Sequence, residues 1–145
     1  MTLRIRRKKP AAPQRIQYLD RTLMPCAVHY CLCLNEADYF RELRRLEVPP
    51  GDWCPFMKTP RAHAGVTWYT TKQGQEVVIV KLDPVKAAEV NPVQVAALLV
   101  HEAVHIWQRH CEPIGSHNDH GDEEEAWAIQ GLAQTLMYDY VRQTS

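Results

Sequence analysis

The stretch NPVQVAALLVHEAVHIWQRH, residues 91–110, predicts the helix around which the rest of the chain is organised. It begins with Asn91 and Pro92, and a capping side chain followed by proline at the first helical position is a strong helix start. Because apolar residues occupy most sides of this helix, we expect it to lie at the centre of the fold. His101 and His105 are four residues apart, so both imidazoles lie on one face of the helix.

The sequence on both sides of this helix predicts an α+β fold with one small domain. The predicted elements are a half-buried strand at 28–34, a helix over 36–47 capped by Asn35, a hairpin of strands 65–71 and 76–82, and a last helix over 122–142. We expect an antiparallel sheet built on the hairpin to pack on the central helix, with 65–71 at its edge. Alternation places Cys31 and Cys33 on one strand face, where we expect buried thiols rather than a second metal site.

The charges of the chain are unevenly distributed. Residues 1–15 hold six of the 17 basic residues and none of the 17 acidic residues, so residues 16–145 carry six more acids than bases. We therefore predict a mobile basic arm at 1–15 and a single domain at 16–145. The arm, through residues 4–9, either docks on nucleic-acid phosphates or acts as a solubilising tail.

Composition also excludes some classes of protein. No stretch approaches the roughly 20 apolar residues that span a bilayer, and no apolar segment follows the basic N-terminus as in a secretory signal. The five cysteines do not form the dense framework of a small secreted protein. These features predict a cytoplasmic protein with reduced thiols and no membrane partner.

The motif that carries chemistry is His101-Glu102-Ala103-Val104-His105. Two imidazoles one turn apart can bind one metal ion, while Glu102 can point at a metal-bound water. This pattern resembles the H-E-x-x-H zinc metallopeptidases. The resemblance implies that His101 and His105 bind Zn²⁺, and that a zinc-activated water hydrolyses peptide bonds of a protein substrate with Glu102 as general base.

The third metal ligand distinguishes the subgroups of these peptidases. The metzincin pattern fails, because Gln108 and Cys111 stand where it requires glycine and histidine. Gluzincins instead use a glutamate on a following helix, and residues 123–125 are all glutamate. Helical phase places Glu125 on the apolar stripe of the last helix, so Glu125 is the predicted third ligand and Glu123 the second choice.

Residues 125–130 resemble a stretch in small metallopeptidases encoded by phage and prophage genomes, and the likeness extends over about residues 95–140. It implies a minimal zincin-like domain and no particular substrate. One departure is Ile129, where related gluzincins place an Asp or Asn beside a ligand histidine. Asp122 is the predicted replacement.

Two other functions stay open at this point. SprT-type proteases are of similar size, act near DNA and use a third histidine, a role that His117 or His120 could fill. With the basic arm, that would make the chain a nucleic-acid-associated protease. Alternatively, a fourth protein ligand would close the metal site and leave a zinc-stabilised binding or regulatory protein that is not an enzyme.

Overall fold

A computed structural model describes residues 16–19, 28–83, 85–86, 91–114 and 123–145, with the side chains of residues 113, 114, 123 and 124 left out. The described chain is an α+β fold. Its elements are β1 (His29–Cys33), α1 (Glu36–Arg45), a short 3₁₀ turn (Pro50–Asp52), β2 (Ala64–Thr70), β3 (Glu76–Leu82), α2 (Pro92–Ile114) and α3 (Glu123–Thr144). The predicted arm at 1–15 lies outside the described residues.

The three strands form one mixed sheet in the order β1-β3-β2. The predicted hairpin is confirmed, since β2 pairs antiparallel with β3 and Val66 lies opposite Val80. The prediction of an antiparallel sheet is wrong for β1, which pairs parallel with β3. Helix α1, the loop after it and β2 all lie between β1 and β3 in the chain, and parallel neighbours require a long connection of this kind. Strand β2 is at the edge of the described sheet, as predicted.

Helices cover both faces of the sheet. Tyr30 and Leu32 of β1 belong to a core cluster that includes residues of α2 and α3, whereas Cys31 and Cys33 belong to a second cluster with residues of α1. The two cysteines are buried free thiols, which confirms their predicted packing. Strand β1 is almost fully buried rather than half-buried, because parallel strands between helix layers have no solvent face.

The helix starts follow the predicted caps. Asn35 Oδ1 accepts a hydrogen bond from Asp38 N at 2.8 Å, and Asn91 Oδ1 accepts one from Gln94 N at 3.0 Å. Helix α2 ends at Ile114, later than predicted, and packs along α3. No helix among the described residues is long and apolar enough to cross a membrane.

Helix α2 runs alongside β2 in the same direction, which positions the site. Near its C-terminal end, the Arg109 guanidinium lies 5.5 Å from the centre of the Trp68 ring and 2.6 Å from Glu76 Oε2. Near its N-terminal end, Gln94 and Ala97 line a cleft together with Ala64, the first residue of β2. The C-terminal part of the helix therefore contacts the hairpin through Arg109, whereas a cleft separates its N-terminal part from the start of β2.

Candidate active site

His101 and His105 lie together on α2. Their Nε2 atoms are 3.2 Å apart, the ring centroids are 4.8 Å apart, and the ring planes are nearly perpendicular at 80°. Two nitrogens bound to one tetrahedral zinc ion at about 2.0–2.1 Å are separated by about 3.3 Å. The observed distance between the Nε2 atoms is close to that value. It is also the length of an N–H···N hydrogen bond, so the spacing suits both a shared proton and a shared metal ion.

Gln108 orients the second histidine of the pair. His105 Nδ1 and Gln108 Oε1 are 3.0 Å apart, and an amide oxygen can only accept, so the hydrogen belongs to Nδ1. In that tautomer Nε2 carries the lone pair that a metal needs. The sequence pattern identifies Gln108 only as a departure from the metzincin glycine. Its position three residues after His105 on one helix is the signal that would have identified it.

Glu102 is buried beside the histidine pair. It is 3% exposed, and its Oε2 atom has no hydrogen-bond partner among the described residues. Burial raises the pKa of the Glu102 carboxyl, against the opposing effect of His101, His105 and Lys81. Burial of a carboxylate oxygen without a hydrogen-bond partner raises the free energy of the folded protein. A hydrogen bond from a bound water or from a substrate would remove this cost.

Glu102 and His101 face a cleft of about 530 Å³ between α2 and the start of β2. Its lining residues are His63, Ala64, Gln94, Ala97, Leu98, His101 and Glu102. Polar side chains that converge on an open cleft with some apolar wall can bind a polar ligand. His63 could not be found from the sequence, because it precedes an edge strand far from the motif and only the packing of β2 beside α2 brings it to the cleft.

Glu125, the predicted third ligand, lies on the inner face of α3, as helical phase indicated. The stripe residues Leu132 and Leu136 on the same face are buried, and Glu125 itself is half-buried. Its Oε1 atom accepts a hydrogen bond from Trp107 Nε1 at 3.1 Å. The predicted position on the helix is confirmed, but the carboxylate contacts Trp107 of α2.

The described residues do not complete a three-ligand metal site. Among them, no three His, Cys, Asp or Glu side chains are grouped closely enough to hold one ion, so the structure brings His101 and His105 together without Glu125. The Glu123 side chain, His117, His120 and Asp122 lie outside the described residues. The choice of Glu125 over Glu123, His117 and His120 stays a prediction.

The donor groups of α2 are of the kinds that zinc sites use. They are two imidazole nitrogens at a spacing that one ion allows, a buried carboxyl whose Oε2 atom has no partner among the described residues, and an amide oxygen that sets the tautomer of His105. Comparison with protein-family models, with curated proteins and with solved structures gave no match.

Proposed function

We propose that the chain is a zinc-dependent metallopeptidase of the gluzincin type. The observation that carries the proposal is the pair of His101 and His105 nitrogens 3.2 Å apart, with His101 and the buried Glu102 in the wall of a cleft. A hydrolase needs these groups together, whereas a helix histidine pair used only for packing needs neither the cleft nor a buried acid between its members.

His101 and His105 would hold the metal, with Glu125 as the predicted third ligand. Bound zinc supplies a Lewis acid and lowers the pKa of a water molecule to about 7. Gln108 keeps His105 in the tautomer that binds through Nε2. Glu125 Oε1 accepts a hydrogen bond from Trp107 Nε1, so Glu125 would have to give up this contact in order to hold a metal ion.

Glu102 would act as the general base. Its carboxylate accepts a proton from the attacking water and then delivers that proton to the amine that leaves. Because Glu102 is buried at the cleft wall, little bulk water competes for its carboxylate oxygens. A positioned base of this kind contributes typically 10²–10⁴-fold to the rate.

Strand β2 would bind the substrate backbone. It is one of the two edge strands of the described sheet and it begins at the cleft, so an extended peptide can add to it through main-chain hydrogen bonds. Among the described cysteines, the free thiols of Cys31, Cys33 and Cys54 support our proposal of a reducing, cytoplasmic location.

The proposal is tested by metal content and proteolysis of the full chain. Purified protein is analysed for zinc and assayed on a random peptide library, together with Glu102→Gln, His101→Ala and the control Glu112→Gln, an exposed acid on the same helix. We expect the wild type to bind one zinc and cleave peptides, Glu102→Gln to keep zinc but lose at least about 100-fold in rate, and His101→Ala to lose both.

Other outcomes would contradict the proposal. Full activity in Glu102→Gln would exclude this residue as the base. Tight zinc binding without cleavage of any library peptide would favour the closed, non-enzymatic site. Zinc lost in His117→Ala or His120→Ala but retained in Glu125→Gln would overturn the gluzincin assignment. DNA binding that weakens with salt and disappears on deletion of residues 1–15 would add the nucleic-acid-associated function.

A further inference from the structure

The two walls of the cleft carry different side chains that a substrate could contact. The α2 wall carries Glu102 and His101, the groups assigned to the chemistry, whereas the β2 wall consists of His63 and Ala64. His63 is half-buried and directly precedes the first residue of β2. Of the two residues that line the cleft on the β2 wall, His63 has a polar side chain and Ala64 does not. A group bound between the walls therefore meets His63 opposite the base.

The backbone around His63 is held on both sides. Asp83 N donates to His63 O at 2.9 Å, which joins the segment before β2 to the end of β3. The Lys86 ammonium donates to Ala62 O at 2.9 Å and also to Pro60 O. These bonds fix the segment that carries His63 relative to the hairpin, so little conformational entropy remains to be lost there on binding.

We propose that His63 is a substrate-binding residue whose imidazole N–H donates a hydrogen bond to a backbone carbonyl oxygen of the peptide in the cleft. Lys86 is a positioning residue that acts through the Ala62 and Pro60 carbonyls. The inference rests on the proposed peptidase function and extends it to the opposite wall. A neutral imidazole always carries one N–H donor, and a peptide presents a carbonyl at every residue.

The expected effect is on binding of substrate rather than on the chemical step. His63 is on the wall away from Glu102, so its hydrogen bond is made in the ground state and in the transition state alike. Loss of such uniform binding raises KM and leaves kcat almost unchanged. One hydrogen bond corresponds to a change of about tenfold.

The first experiment measures kcat and KM of the zinc-loaded protein on its best-cleaved library peptide. We expect His63→Ala to raise KM about tenfold with kcat within about twofold, and His63→Gln, which keeps an N–H donor, to recover most of the loss. His29→Ala is the matched control, because His29 is in β1 at the opposite edge of the sheet. An unchanged KM, a fall in kcat alone, or no rescue by His63→Gln would overturn the proposal. A loss of zinc from His63→Ala would do so too, because His63 would then be a metal ligand.

A second experiment separates this inference from the proposed function. The Kd of a blocked, alanine-rich hexapeptide is measured by NMR titration in the zinc-loaded Glu102→Gln background, where no cleavage is needed. We expect His63→Ala to weaken binding about tenfold. Equal Kd values with and without His63→Ala would refute the role of His63 even in an active peptidase. Absence of cleavage by the wild type, with the Kd difference present, would refute the peptidase alone.

A third measurement tests the positioning role of Lys86. If Lys86 acts only by holding the backbone before His63, Lys86→Ala raises KM in the native protein but has no further effect in His63→Ala. The thermal midpoint of each variant is measured in parallel. Additive changes in KM would show that Lys86 acts independently of His63 and would overturn this part of the proposal.

Discussion

Replacement of Glu102 by glutamine is expected to stabilise the metal-free protein while it removes activity. The carboxylate is 3% exposed, and Oε2 has no partner among the described residues. Burial raises its pKa in spite of His101, His105 and Lys81, so the charged form is less favourable in the folded protein than in the unfolded chain. Its neutral isostere should therefore fold more favourably at neutral pH.

The magnitude follows from the cost of an unsatisfied buried polar group, about 1–3 kcal/mol. Glutamine removes the charge but leaves a buried amide, so we expect the lower part of this range, about 1 kcal/mol. For a chain of this size that corresponds to a rise of about 3 °C in the thermal midpoint. The assay is thermal unfolding of the chelator-treated protein followed by circular dichroism.

Glu112→Gln is the matched control for this prediction. Glu112 is on the same helix, its side chain is 52% exposed, and it pairs with Arg109 at the surface. Loss of an exposed ion pair changes stability by about 0.5 kcal/mol or less. The reasoning is refuted if Glu102→Gln lowers the midpoint, or if both variants shift it equally, because burial of Glu102 would then not be the cause.

Two further predictions concern the surroundings of the site. Gln108→Ala removes the hydrogen-bond acceptor of His105 Nδ1 and should weaken zinc binding about 10–100-fold in a chelator competition assay. The helix content should be unchanged. An unaltered zinc affinity would show that Gln108 does not orient His105. The Thr70 hydroxyl and Arg109 hold the pKa of Glu76 below 4.5, against the opposing effect of burial. The stability that Glu76 contributes is therefore complete above pH 4.5, and it is lost as the pH falls through the pKa of Glu76 in the folded protein. Urea midpoints measured below pH 4.5 should decline less steeply in Glu76→Gln than in the wild type, and parallel curves would contradict this assignment.

Most of the secondary structure could be predicted from the sequence. The caps Asn35 and Asn91, the hairpin and both long helices are local features, because capping, turn chemistry and periodicity act over a few residues. The direction of β1 relative to β3 could not be predicted. An alternating strand pattern says which side chains share a face but not which strand will be the neighbour, and the pairing of β1 with β3 depends on contacts distant in sequence.

The candidate site shows the same division between local and distant contacts. The spacing of His101 and His105 on α2, and the inner-face position of Glu125 on α3, follow from the geometry of a single helix, so the sequence alone determined them. The cleft, the place of His63 in its wall and the contact of Glu125 with Trp107 depend on how β2 and α3 pack against α2. These features could not be predicted from the sequence, because the relative placement of two elements depends on side-chain packing over the whole core and not on the periodicity of either element.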